Sequence, residues 1–362
     1  MKLKKFIDIY IPTTVCNLKC SYCYISQLNQ SGNKVAKFKH TPEEIQKALS
    51  VERLGGICML NMCAGGETLL SEEILPIARA LCEEGHYVMI VTNGTVGKRF
   101  QEIEEWSIEQ RGHLFFKFSL HYLELKRLNL LENFANNVKK ARKLGCSITV
   151  EITPNDELIP YIEELKDYCL ENFSALCHCT IARDDRKKGI DILSTMEVNE
   201  YKQIWEQFDS DLFKYKMSLY KVKRKEFCYA GVWSFYLNLE TGDVRQCYCG
   251  SIIDNIYRDV SKPIRELPIG KNCSLAYCYN GHAFMAFGNI PGLDNITYAQ
   301  LRDRMLPDNT SWLEPQMREI MECKLQNNNT EYSNLQKKIV SVKSFLRKNI
   351  YVLNRVIKKY VK

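Results

Sequence analysis

The chain has 362 residues, a hydrophobic fraction of 45% and a net charge of +7, which exclude a disordered or collagen-like chain. No run of about 18 apolar residues occurs, so no transmembrane helix is expected, and the basic start Met1–Lys5 lacks the cleavage site of a signal peptide. Sixteen cysteines without a secretion signal point to metal or redox chemistry in a reducing cytoplasm rather than to a disulfide framework.

In chain order, Phe6–Thr14 reads as a strand. Thr41-Pro-Glu-Glu44 is a capping box that opens a helix to about Leu54. Ile57–Met62 is a strand, Ser71 caps a helix to about Glu84, and His86–Val91 is a strand. Helix Lys98–Gln110, strand Leu114–Ser119 and a long helix ending at Leu144-Gly145 follow. Strand Ser147–Ile152, helix Asp156–Leu170 and strand Ala175–Ile181 complete six β/α units. This alternation implies right-handed crossovers and a parallel sheet, open or a partial barrel, with ligands at the C-terminal strand ends. Helix Glu197–Lys216 closes the unit. The expected domains are residues 1–210, a loop-rich Cys module at 211–290, and a helical region at 291–362, with Asn327–Asn329 as a linker.

Cys16-Asn-Leu-Lys-Cys20-Ser-Tyr-Cys23 follows the first strand directly. Three thiolates within eight residues converge on one loop and select zinc or an iron–sulfur cluster. Structural zinc needs a fourth ligand, and none is nearby. A 4Fe-4S cluster with three protein ligands leaves one iron open. Cys-x3-Cys-x2-Cys, with Tyr22 before the third cysteine, resembles the radical S-adenosylmethionine (SAM) superfamily. Cys63-Ala-Gly65-Gly66-Glu67 after the second strand resembles that family's Gly-Gly-Glu motif.

The resemblance covers about residues 6–185 and implies a partial (β/α)6 barrel. It implies that Cys16, Cys20 and Cys23 hold a 4Fe-4S cluster and that SAM binds beside it. Tyr22 would lie near the adenine, and Gly65, Gly66 and the strand edge at Glu67 near the methionine amino group. Asn93 in Thr-Asn-Gly and Ser119 in Phe-Ser-Leu-His would contact the cofactor, although Asn-Gly is also ordinary turn chemistry. Reductive cleavage of SAM would release a deoxyadenosyl radical that abstracts hydrogen from a C–H bond, with flavodoxin or ferredoxin as electron donor. Glu151 and Arg183 are candidates for cofactor or substrate contacts, or solvated loop charges. Cys177 and Cys179 share a strand face and read as core, while Cys63 or Cys179 is a candidate hydrogen donor. The other scattered cysteines read as packing residues.

A second group begins at Cys228, with Gly242, Cys247 and Cys249 following, then Cys273 and Cys278. Cys-x9–15-Gly-x4-Cys resembles the start of a SPASM or twitch auxiliary-cluster domain. The later cysteine run of SPASM is absent, so one auxiliary iron–sulfur cluster is expected. Cys228, Cys247, Cys273 and Cys278 are its ligands, with Cys249 a substitute; a zinc ribbon would use the same thiolates. Phe235–Leu239 and Val244–Tyr248 read as a hairpin carrying them.

From Tyr332 onward there are nine Lys/Arg and no acid, so residues 1–331 carry a net −2. The basicity belongs to a tail, and a nucleic-acid-binding body is not expected. Apolar residues recur at three and four positions from Ile339 to Tyr360, an amphipathic helix. It fits an anionic membrane surface, docking on the body, or an acidic partner. The expectation is thus a radical SAM enzyme, cytoplasmic or peripheral at the inner membrane surface. Its substrate would be a small molecule, sugar or lipid-linked glycan. The alternatives are a peptide or sulfatase maturase and a non-catalytic zinc scaffold.

Overall fold

The structure, a computed structural model, describes residues 2–293 and 296–360, without the side chains of 351–360. Strands β1 (Lys5–Ile11), β2 (Cys58–Ala64), β3 (Tyr87–Thr92), β4 (Leu114–Ser119), β5 (Ser147–Ile152) and β6 (His178–Cys179) pair in sequence order, all parallel. They form the partial barrel. Only β6 is much shorter than its apolar run implied.

Strand alternation divides the sheet into two faces. Ile7, Ile9, Leu60, Met62, Val88, Ile90, Phe116 and Phe118 enter the core beneath the helices. The opposite face changes character along the strands. At the N-terminal ends, Phe6, Met59, Tyr87 and Phe115 pack on Phe284, Phe287 and Met317 of the C-terminal segment. Phe6 stacks on Phe287 at 5.0 Å. The C-terminal region therefore plugs the bottom of the barrel. One step further along the strands, Asp8, Asn61 and Lys117 line a cavity, and at the C-terminal ends Cys63 and Ser119 line the mouth.

Several expected helices are broken where polar residues compete for caps. The first divides into Pro42–Ala48 and Val51–Leu54, because Ser50 caps anew through the Arg53 N–H. The run from Lys98 divides likewise, with a second capping box at Ser107. Glu197–Lys216 divides into Val198–Glu206 and Asp211–Leu219, interrupted by Asp209 at φ 44° and capped by Ser210. Ser71 does not cap the next helix, which is Ile74–Glu83.

Beyond β6, a ribbon pairs β7 (Arg183–Asp184) with β8 (Asp191–Ile192). The Cys-rich segment contributes β9 (Ser234–Asn238), β10 (Asp243–Arg245) and β11 (Ile252–Asn255). β9 lies parallel against β1, so one nine-stranded sheet crosses the expected boundary at residue 210. The Cys-rich segment is therefore not a detached module. Asn328 and Asn329 are not a free linker either: their amides donate to the carbonyls of Leu3 and Lys4.

The last helix, Asn334–Tyr360, docks by its small polar side. Gln246 donates to Ser344, and Asn272 donates to the Ser341 carbonyl. Leu335, Ile339, Val342, Phe345, Leu346 and Ile350 remain exposed. The expected apolar positions Leu353, Val356, Ile357 and Tyr360 lie outside the described side chains. Among the described residues, no helix is long and apolar enough to cross a membrane.

Candidate active site

The loop after β1 carries Cys16, Cys20 and Cys23, and a second backbone braces it. The N–H groups of Gly65, Gly66 and Glu67 donate to the carbonyls of Ile11 (3.2 Å), Thr13 (2.6 Å) and Val15 (3.0 Å). A Cβ at Gly66 would stand 1.9 Å from the Val15 oxygen, and one at Gly65 would stand 3.0 Å from the Thr13 oxygen. In this structure the two glycines admit the cysteine loop itself. The resemblance had implied an approach to the cofactor.

Glu67 is buried and its carboxylate accepts three bonds: Thr92 hydroxyl (2.6 Å), Asn93 N–H (2.7 Å) and Leu69 N–H (2.9 Å). Burial raises its pKa, and these donors work against the rise. The side chain ties the ends of β2 and β3 together, leaving the strand edge rather than the carboxylate to meet a ligand. Asn93 donates to Asn17 Oδ1 (2.8 Å) and reaches the Cys16 sulfur at 3.8 Å. Its own oxygen accepts from Thr95. Asn93 is therefore more than a turn residue, since its amide bears on a cluster-loop thiol.

Tyr22 shares a 2.8 Å hydrogen bond with His121 Nδ1. Burial, then the Lys117 charge, lowers His121 to about 4, which keeps the ring neutral at pH 7. Cys16, Cys20, Cys23, Gly65, Gly66, Glu67, Asn93, Ser119 and His121 line one cleft of about 700 Å³. Among the described residues, no three His, Cys, Asp or Glu side chains stand close enough to hold a single metal ion. A four-iron cluster is wider than one ion and needs its thiolates further apart. Three cysteines on one loop facing a cleft, with an amide on one sulfur, fit that larger group.

A second chamber of about 570 Å³ adjoins the cleft, sharing Cys63, His121 and Cys23. Cys63 borders both spaces, and burial pushes its thiol up to about 12. Cys179 does not. It is fully buried in the core beside Cys177 and Cys169, on the face away from both spaces, so the structure withdraws it as a hydrogen donor. Glu151 is also corrected as a free ligand to the cofactor. Lys117 lies 3.0 Å from it and Arg302 forms a second ion pair with it. Despite its burial, these charges lower its carboxyl to about 2. Arg183 borders the chamber and stacks over the Tyr279 ring at 5.2 Å.

Sequence reasoning missed Asp8, Lys117, His121, Lys216 and Arg302. His121 had a signal in its place after Ser119 at the end of β4. Lys216 and Arg302 had none, because remote helices deliver them.

In the Cys-rich segment, the hairpin turn needs Gly242, at φ +77°, where a Cβ would stand 2.4 Å from the Tyr257 ring. Cys247 and Cys249 lie just beyond β10, with their sulfurs 3.3 Å apart. Cys228, Cys249, Cys273 and Cys278 act on one another electrostatically: each of Cys228 and Cys278 feels both Cys249 and Cys273. Cys247 touches Cys249 within this group. The structure thus gathers all five cysteines in one region, with Cys249 beside both Cys247 and Cys273.

The site is thus a parallel barrel with three cysteines at its mouth, braced by a Gly-Gly-Glu strand end. Residues 10–169 match the Radical SAM superfamily, so the chain carries a radical SAM domain, whose family uses a 4Fe-4S cluster and SAM. A protein of Methanocaldococcus jannaschii named for glycyl-radical enzyme activation is 28% identical over 86 residues, 24% of this chain and 31% of its own length. The fold is similar to native anSMEcpe with bound AdoMet and Cp18Cys peptide, at 14% identity, TM-score 0.51 and 98% coverage of both chains. It is also similar to Streptococcus suis SuiB, at 15% identity and TM-score 0.50, covering 71% of this chain and 64% of that one. The chain thus spans under a third of the curated relative and less than two thirds of SuiB.

Proposed function

We propose that this protein is a radical SAM enzyme with one auxiliary iron–sulfur cluster, acting on a C–H bond of a small substrate. The observation that carries this reading is the continuity of the cysteine-lined cleft with an adjoining chamber that holds buried charged side chains, through Cys63 and His121. When bound and reduced by a flavodoxin- or ferredoxin-type donor, the cluster and SAM supply a deoxyadenosyl radical. Cys16, Cys20 and Cys23 hold the cluster, and Asn93 steadies the Cys16 sulfur. Tyr22 and His121 wall the passage and stay neutral, so neither adds charge beside the cofactor. Cys63, protonated because it is buried, is placed to give a hydrogen atom to a substrate radical. Cys228, Cys249, Cys273 and Cys278 hold the auxiliary cluster. Anaerobic reconstitution should load about eight Fe per chain and yield 5′-deoxyadenosine from SAM with dithionite. Four Fe with one Zn would return the second site to a zinc ribbon. Zinc at both sites, with no deoxyadenosine even with substrate present, would sink the enzyme reading.

A peptide maturase is the second reading, favoured by end-to-end fold similarity to a peptide-bound enzyme. The modest size of the adjoining chamber, about 570 Å³, favours the first.

The last helix supports a membrane-surface location. Its docked side is polar, its exposed side apolar, and each Lys/Arg near an anionic leaflet contributes about 1 kcal/mol. Full-length protein should pellet with phosphatidylglycerol vesicles, and an Ile339→Ser/Leu346→Ser double variant should not. Equal pelleting of the two removes this location.

A further inference from the structure

The chamber beneath the cysteine-lined cleft carries more cations than its ion pairs use. Lys117 from β4 and Arg302 from helix Tyr298–Arg302 share one carboxylate, Glu151. Lys216, from helix Asp211–Leu219, is buried and hydrogen-bonds the Thr180 hydroxyl. It has no carboxylate within ion-pair distance among the described residues. Arg183 enters from the ribbon, with Asp185 as its nearest acid at 3.7 Å. His282 lines the same wall, and its buried Nδ1 has no hydrogen-bond partner.

All four cations act on the His282 ring, and with its burial they hold it neutral. Burial likewise pulls the Lys216 ammonium well below its ordinary value, with only Glu151 working against the fall. A buried ammonium without a counter-charge is costly, and an oxyanion beside it removes that cost. The opposite wall is different: Asp8, Asn61 and Tyr236 offer neutral or acidic partners suited to hydroxyl or amino groups. The chamber is thus polarised, cationic at one end and hydroxyl-binding at the other.

We propose that the substrate is a small molecule bearing an oxyanion, a carboxylate or a phosphate, held by Lys216, Arg183 and His282 beneath the cofactor cleft. This rests on the radical SAM reading and names its substrate class. His282 donates one ring N–H to the oxyanion, Lys216 supplies the charge, and Arg183 closes the open side.

The test uses full-length, cluster-loaded protein saturated with SAM, so that the cofactor's own carboxylate site is filled. Inorganic phosphate and propionate are titrated separately by calorimetry. At least one should bind. Lys216→Met should weaken it about tenfold, the scale of one charge-assisted hydrogen bond, while Lys216→Arg stays within about threefold. Phosphate alone binding marks a phosphate ester; propionate alone marks a carboxylic acid. No binding of either, or binding that Lys216→Met leaves unchanged, overturns the proposal. Iron content and SAM binding, measured on the same wild-type preparation, report separately on the radical SAM reading.

Discussion

The two cysteine regions are built on opposite plans. The first gathers three thiols within eight residues and relies on its neighbours for shape: Gly65, Gly66 and Glu67 clamp the loop through three backbone hydrogen bonds. The second draws cysteines from four places between Cys228 and Cys278 and brings its own hairpin, joined to β1 through β9. A local loop carries its chemistry in its spacing. A dispersed site depends on how the chain returns to itself.

The largest effect should separate the two sites outright. Cys20→Ser should abolish 5′-deoxyadenosine formation and remove about four of about eight iron atoms, leaving the auxiliary iron in place. Loss of all the iron would mean that the sites assemble together.

Within the second site, Cys249→Ser should remove the auxiliary iron, whereas Cys247→Ser should leave it nearly complete by iron assay. Loss with Cys247→Ser but not with Cys249→Ser would restore the ligand set expected from spacing.

The supporting glycines should behave differently too. Gly66→Ala drives a Cβ into the Val15 carbonyl, and backbone yields poorly, so about 3 kcal/mol of stability should be lost in urea unfolding. Gly242→Ala meets a tyrosine ring that can shift, and adds the strain of a positive φ, so about 2 kcal/mol is expected.

The smallest effect belongs to the chamber between them. Burial raises Asp8 to about 6, above its unfolded value of 3.8. Its protonated form therefore favours folding below pH 4, and that contribution is lost as pH rises through 6. Asp8→Asn should flatten this slope by about 1 kcal/mol, discounted for partial exposure, in denaturant titrations from pH 4 to 7. An unchanged slope would place Asp8 in contact with water.

Much of the cleft was legible because its residues are neighbours in sequence or end successive strands. Cys16, Cys20, Cys23, Gly65, Gly66, Asn93 and Ser119 all border one space. Glu67 and Glu151 were located correctly, but the partners of their carboxylates, Thr92 for one and Lys117 and Arg302 for the other, come from other elements. Cys179 lies in the core beside Cys177, as its shared strand face implied, so of the two candidate hydrogen donors Cys63 alone borders the cleft.

By itself, the sequence determined a parallel sheet with the cysteine loop after its first strand, since strand periodicity and close spacing act over a few residues; that the sheet is a partial barrel was what the family resemblance implied. Only the tertiary structure decided which cysteines meet after residue 228 and that the second region extends the barrel sheet. It alone decided that Lys216 shares a chamber beneath the cleft with the Lys117–Glu151–Arg302 ion pairs. Contacts between residues far apart in the chain depend on the whole packing, and no local pattern encodes them.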